Sequence, residues 1–170
     1  MWTVVAKVIV DTNVRQALQD QNIEYRKVFT TPAPFNSLLW RVLVRAEDSY
    51  HEGFYSVLDP DNNIHFNAYP HNEDLLQDIQ EHWPVERLKW FSKGFYAVSL
   101  RNEDIVMSDL RMGVEPNYVF RFKVGEKSNP HAIPVIPEQL ATEWDLSYLS
   151  LIWQRIWSNQ IILRYPQSTE

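Results

Sequence analysis

The stretch Thr31 to Arg45, TPAPFNSLLWRVLVR, constrains the fold more than any other. Pro32 and Pro34 rule out a helix at its start and favour an extended or turning backbone. Asn36-Ser37 supplies turn chemistry. Leu38 to Val44 then reads as a strand. Leu38, Trp40, Val42 and Val44 point to one face, and Leu39, Arg41 and Leu43 to the other. Apart from Arg41 both faces are apolar, which is the pattern of a central strand covered on both sides. An arginine in such a strand needs a partner, because an unpaired buried charge is costly.

Around this strand the elements follow by period. Trp2 to Gln21 reads as a helix with Ala6, Val10, Val14, Ala17 and Leu18 as its stripe. Val4, Val5, Val8 and Ile9 widen the apolar surface of its first half. Such a helix is either buried against a sheet or is the end of a longer membrane-linked helix, with Trp2 at the interface. Ile23 to Thr30, Tyr50 to Leu58 and Ile64 to Tyr69 read as strands, with Asp59 to Asn63 a hairpin turn. Gly53 marks a bulge or a close backbone approach. Asn72 to His82 turns helical, capped by Asn72, and Pro84 restarts a second short helix, Val85 to Ser92, stopped by Gly94. Phe95 to Leu100, Ile105 to Arg111 and Tyr118 to Val124 are further strands. Glu126 to Pro137, with three prolines, reads as a loop. Trp144 to Trp157 is the last helix, with Asp145 or Ser147 as its cap, and a tail begins at Asn159.

The sum is an α+β domain. It is a largely antiparallel curved sheet of about seven strands with a long N-terminal helix, a central helical pair and a C-terminal helix. The 170 residues suit one domain, and 45% hydrophobic content can fill its core.

Composition narrows the function classes. The net charge is −6 and there is no basic run, which argues against nucleic acid and anionic lipid headgroups as partners. The chain has no cysteine, so disulfides, thiolate ligands and a cysteine nucleophile are excluded, and a reducing compartment fits. No apolar run approaches the roughly 20 residues that span a bilayer, and no basic leader precedes Trp2. The five histidines, His51, His65, His71, His82 and His131, form no chelating spacing, so no metal site is expected within this chain. Four glycines leave no phosphate-cradling loop, and no serine sits in a nucleophile elbow.

The candidate polar cluster centres on Arg41. Asp109 and Arg111 share one face of their strand, an inward charge pair, and Arg121, among Tyr118, Phe120 and Phe122 but on the alternate face, is a further candidate for the same cluster. Arginines in excess of the acid would bind a small carboxylate or phosphate. A structural ion network that fixes sheet register accounts for the same residues. Seven tryptophans are mostly core, while Trp83, Trp90 and the Trp144–Trp157 helix also suit a docking surface.

The words TPAPFNSLLWRVLV, YHEGFYSVLD, LKWFSKGFYAV, SDLRMGVEPNYVFRFKV and LIWQRIW, in this order, resemble the C-terminal soluble region of the YdjM-like bacterial inner-membrane proteins, classed as membrane-bound metal-dependent hydrolases. The resemblance runs from the Trp2 helix to Trp157. It implies an extramembrane domain, with the family's HxxxTH-like metal motif and membrane helices outside this chain. It implies a divalent metal for the whole family protein, none held here, and the membrane domain of the same polypeptide as partner. It supplies no catalytic residue. Two readings follow. In the first, an accessory domain covers the membrane-embedded site or binds a ligand through Arg41, Asp109, Arg111 and Arg121, with Trp40 and Tyr96 as apolar walls. In the second, a non-catalytic interaction domain docks a partner through its Trp-rich helices. An independent soluble enzyme is the weakest reading. The location implied is the bacterial inner membrane, with the cytoplasmic side favoured by the lack of cysteine.

Overall fold

The computed structural model describes residues 2–34, 36–141 and 147–163. In chain order the elements are α1 (Trp2–Asp20), β1 (Lys27–Pro32), β2 (Leu39–Arg45), β3 (Ser49–Ser56) and β4 (Phe66–Pro70). A 3-10 turn (Glu73–Leu76), α2 (Trp83–Phe91), β5 (Tyr96–Arg101), β6 (Asp104–Asp109), β7 (Gly113–Val114) and β8 (Asn117–Tyr118) follow. The chain ends with β9 (Arg121–Glu126), β10 (Ile133–Gln139) and α3 (Ser147–Trp157). The chain is α+β. It divides into two compact units, Met1–Tyr69 with Asp145–Glu170, and Pro70–Trp144.

The expected single sheet is two separate four-stranded sheets, ordered β1-β2-β3-β4 and β10-β9-β6-β5, with a two-stranded ribbon of β7 and β8. The strand pairs in register, β1–β2, β2–β3, β5–β6, β6–β9, β9–β10 and β7–β8, are antiparallel. Hairpin chemistry is local and says which strands are neighbours. It does not say where one sheet stops and the next begins. Each sheet has its own apolar cluster, which is why the strands separate.

In the first unit, β2 is buried at every position, as its two apolar faces predict. Trp40, Val42 and Val44 pack against Ala6, Val10, Val14, Ala17 and Leu18 of α1, the stripe set by helical spacing. The other side of α1 is different: Val4, Val5, Val8 and Ile9 are exposed, Val4 at 68% and Val8 at 61%. No helix among the described residues is long and apolar enough to cross a membrane. At Gly53 a Cβ would stand 2.9 Å from Phe66 Cδ1 and 3.0 Å from His65 O, so the glycine marks a close approach.

In the second unit, Leu76, Ile79, Val85, Tyr96, Val98, Ile105, Met107 and Val124 form the core. Two expectations change here. Asn72 does not cap a helix. It sits in the left-handed region at φ 50 and its side chain donates to Val98 O at 3.1 Å, and only a 3-10 turn follows. The Pro-rich loop contains β10, an edge strand with an irregular register against β9 between Pro134 and Glu138. An edge position asks for no ladder donor from proline on its open side. Asp78 anchors the start of this strand, accepting from Ala132 N at 2.9 Å. The expected helix start at Trp144 and Asp145 lies outside the described residues, and Ser147 is already helical.

Candidate functional site

Arg41 finds its partner one strand away. It stands opposite Phe54 and diagonal to Glu52, which faces Leu43. Arg41 Nε donates to Glu52 Oε1 at 2.5 Å, and its Nη2 closes the ion pair. Both side chains are about as buried as their apolar neighbours, 5% and 6% exposed. The pair Asp109–Arg111, where the partner was sought, belongs to the second unit and is satisfied within it. A short turn after β2 put Glu52 on Arg41's face, and that diagonal was the available sequence signal. Trp40 cannot wall the same pocket as Arg41. Alternation turns it to the opposite face of β2, into the α1 cluster, where its Nε1 donates to Ser37 O at 3.0 Å.

The second unit does bring three of the candidate residues together. Asp109 is buried at the end of β6 and accepts from Arg111 Nε at 3.0 Å and from Arg111 Nη2 at 2.6 Å. Arg111 lies in the turn just past the strand, where its Nη2 also reaches Phe91 O at 2.8 Å. Tyr96 stands directly opposite Asp109 in the β5–β6 ladder. Arg121 lies opposite Ser108, and its guanidinium reaches Ala141 O.

Tyr96 extends this line to residues that the sequence did not single out together. Its hydroxyl donates to Glu73 Oε1 at 2.5 Å, and Lys89 Nζ donates to the same oxygen at 2.7 Å. The Tyr96 ring lies 4.6 Å from the ring of buried His71, whose Nδ1 is 3.7 Å from Glu73 Oε2. The backbone of His71 is strapped to β5, its carbonyl accepting from Val98 N at 3.0 Å. Burial pushes the Glu73 carboxyl up. Hydrogen bonds from Lys89 and Tyr96, and the charges of Lys89 and His71, outweigh it and hold the carboxyl below its usual 4.5. A carboxylate held ionised in this way is a poor general base and a good ionic latch. It ties the 3-10 turn to α2 and β5.

The latch has a pH signature. Replacing Glu73 with alanine removes the acceptor of the Tyr96 hydroxyl, and because Glu73 is 47% exposed and water can take its place, the cost is about 0.5–1 kcal/mol. With a depressed pKa, the stabilisation is present above 4.5 and is lost as pH falls through the folded-state value. Urea unfolding of Glu73→Gln and the natural chain should therefore differ at neutral pH and converge in acid. A gap that widens in acid would contradict the ionised latch.

A third network, in the first unit, was missed by sequence reasoning. Arg155 of α3 holds Asp59 with two parallel bonds, Nη1 to Oδ1 at 2.8 Å and Nη2 to Oδ2 at 2.7 Å. Its Nη2 also donates to Phe54 O at 2.9 Å, and Asp59 Oδ2 accepts from Ser56 N at 2.9 Å. Ser56 Oγ donates to Ile156 O at 2.9 Å. Beside Arg155, a pocket that includes Asn63, His65, Asn67 and Asn159 holds about 20 Å³, room for roughly one water. Among the described residues no cluster of His, Asp and Glu has the geometry of a metal site. Comparison with family models, with curated proteins and with solved structures found no match.

Proposed function

We propose that this chain is a non-catalytic accessory domain that docks on the membrane-embedded part of its own polypeptide, in a bacterial inner-membrane metal-dependent hydrolase. The divalent metal would reside in that other part. The observation that carries the reading is the two-sided apolar character of α1. One stripe packs on β2, while Val4, Val5, Val8 and Ile9 present a second apolar face to solvent. A contiguous apolar helix face is costly to leave in water and marks a surface that another element covers. The resemblance of the chain to the YdjM-like soluble region supports the membrane-embedded part as that element.

A small anionic ligand fits the polar groups less well. Arg41 is engaged by Glu52, Arg111 by Asp109 and Arg155 by Asp59. A ligand would have to displace a carboxylate already held at close range. The second reading, a domain that binds a separate protein, is favoured by α3, where Trp153 and Trp157 are exposed four residues apart.

The absence of cysteine permits a direct test. Val8→Cys, labelled with a polarity-sensitive fluorophore, should report an apolar surrounding in the complete gene product in its membranes and water in the isolated chain. A probe that reports water in both would sink the docking reading. A probe buried only after a second purified protein is added would favour the alternative.

A further inference from the structure

The outward face of α2 has an inverted pattern. Pro84 and Val85 are buried against the second unit, as a helix on a sheet requires. The solvent face should then be polar, yet Trp83, Arg87 and Trp90 fall on it at i, i+4 and i+7. Trp83 is 69% and Trp90 68% exposed, and Phe91, next to Trp90 in the chain, is exposed as well. The cations are built into this patch. Arg87 Cζ lies 4.6 Å from the centre of the Trp90 ring, and Arg111 Cζ lies 5.2 Å from that of Phe91. Between Trp83 and Lys93, Lys89 is held by Glu73, which leaves Arg87 and Lys93 against one acid, Glu86, in a chain whose net charge is −6.

We propose that this face of α2 rests on an anionic phospholipid surface, with Trp83, Trp90 and Phe91 at headgroup depth and Arg87 and Lys93 on the phosphates. Indole rings are well placed at a membrane–water interface, where one edge is apolar and the N–H is wet. The Arg87 guanidinium stacked on Trp90 arrives preoriented for phosphate oxygens. The whole-chain charge argues against anionic lipid, and the local reversal of sign at α2 answers that argument. Electrostatic attraction acts within about a Debye length of roughly 8 Å in physiological salt, so the sign of the nearest charges decides.

The proposal does not rest on the reading of α1, and the test separates them because vesicles contain no protein. The chain is floated with phosphatidylcholine vesicles and with vesicles that also contain phosphatidylglycerol. It should float with the second kind, and less as salt is raised. Arg87→Gln and Lys93→Gln should each lower the partition about fivefold. Trp90→Ala should lower it too, and Trp153→Ala on α3 should leave it unchanged. All four positions are solvent-exposed, so circular dichroism should stay that of the natural chain. Failure of the unmodified chain to float, equal flotation with both lipids, or loss through Trp153→Ala while Trp90→Ala still floats would each overturn the proposal. The first of these leaves the Val8 probe experiment untouched.

Discussion

Replacing Arg155 with alanine is expected to destabilise the first unit by about 3–5 kcal/mol. The guanidinium and the Asp59 carboxylate are each 6% exposed, so the carboxylate left behind cannot recover its charge–charge partner from water. The same change strips Phe54 O of its donor from α3. Arg155→Lys keeps the charge and loses the parallel pair of bonds, and should fall between the two. Because the chain has two compact units, a single unfolding midpoint would blur the effect. Exchange of the β2 and β3 backbone amides measures it directly. A loss below about 1 kcal/mol would place this pair with solvent-exposed ion pairs and remove α3 from the stability of the sheet.

Arg41→Ala should cost a similar amount, about 3–5 kcal/mol, by abandoning Glu52 inside β3, a strand with no exposed residue. The decisive variant is the double replacement Arg41→Leu with Glu52→Leu. Leu39, Leu43 and Phe54 already surround the pair on that face of the sheet, so two leucines remove the desolvation penalty of two ions. The double variant should be as stable as the natural chain or more so. A double variant that matches or exceeds the natural chain makes the pair an architectural choice, and one that is clearly less stable shows that the pair contributes more than its desolvation costs. Urea unfolding followed by exchange of the β2 and β3 backbone amides reads both results.

Much of each element was legible because its cause is local. The spacing of Ala6, Val10, Val14, Ala17 and Leu18 declares which face of α1 is inward, and the structure buries these residues. The two apolar faces of Leu38 to Val44 declare a covered strand, and β2 is one. Pro84 in the first turn and Gly94 beyond the end mark a helix for steric reasons that need no neighbour, and α2 runs from Trp83, one residue before Pro84, to Phe91. The α+β class and the antiparallel pairing follow from short turns. Where local signals compete, the reading slips. Asn72 offered a cap, and the carbonyl of Val98, distant in sequence, took its side chain instead. Three prolines suggested a loop, and an edge position let the strand form around them.

The candidate site shows the same boundary. That Arg41 is inside, that it must be paired, and that Asp109 and Arg111 belong together follow from residue order, because alternation and desolvation are properties of a strand and a charge. Alternation along β2 already turns Trp40 away from Arg41. Tertiary packing set which acid answers Arg41 and brought Tyr96 to Glu73, Lys89 and His71. It also decided that Arg155 reaches Asp59 across 96 residues of chain. The physical reason is range. A hydrophobic period constrains the face a residue takes, whereas the partner of a buried charge is fixed by which segments pack together, and packing is a property of the whole core.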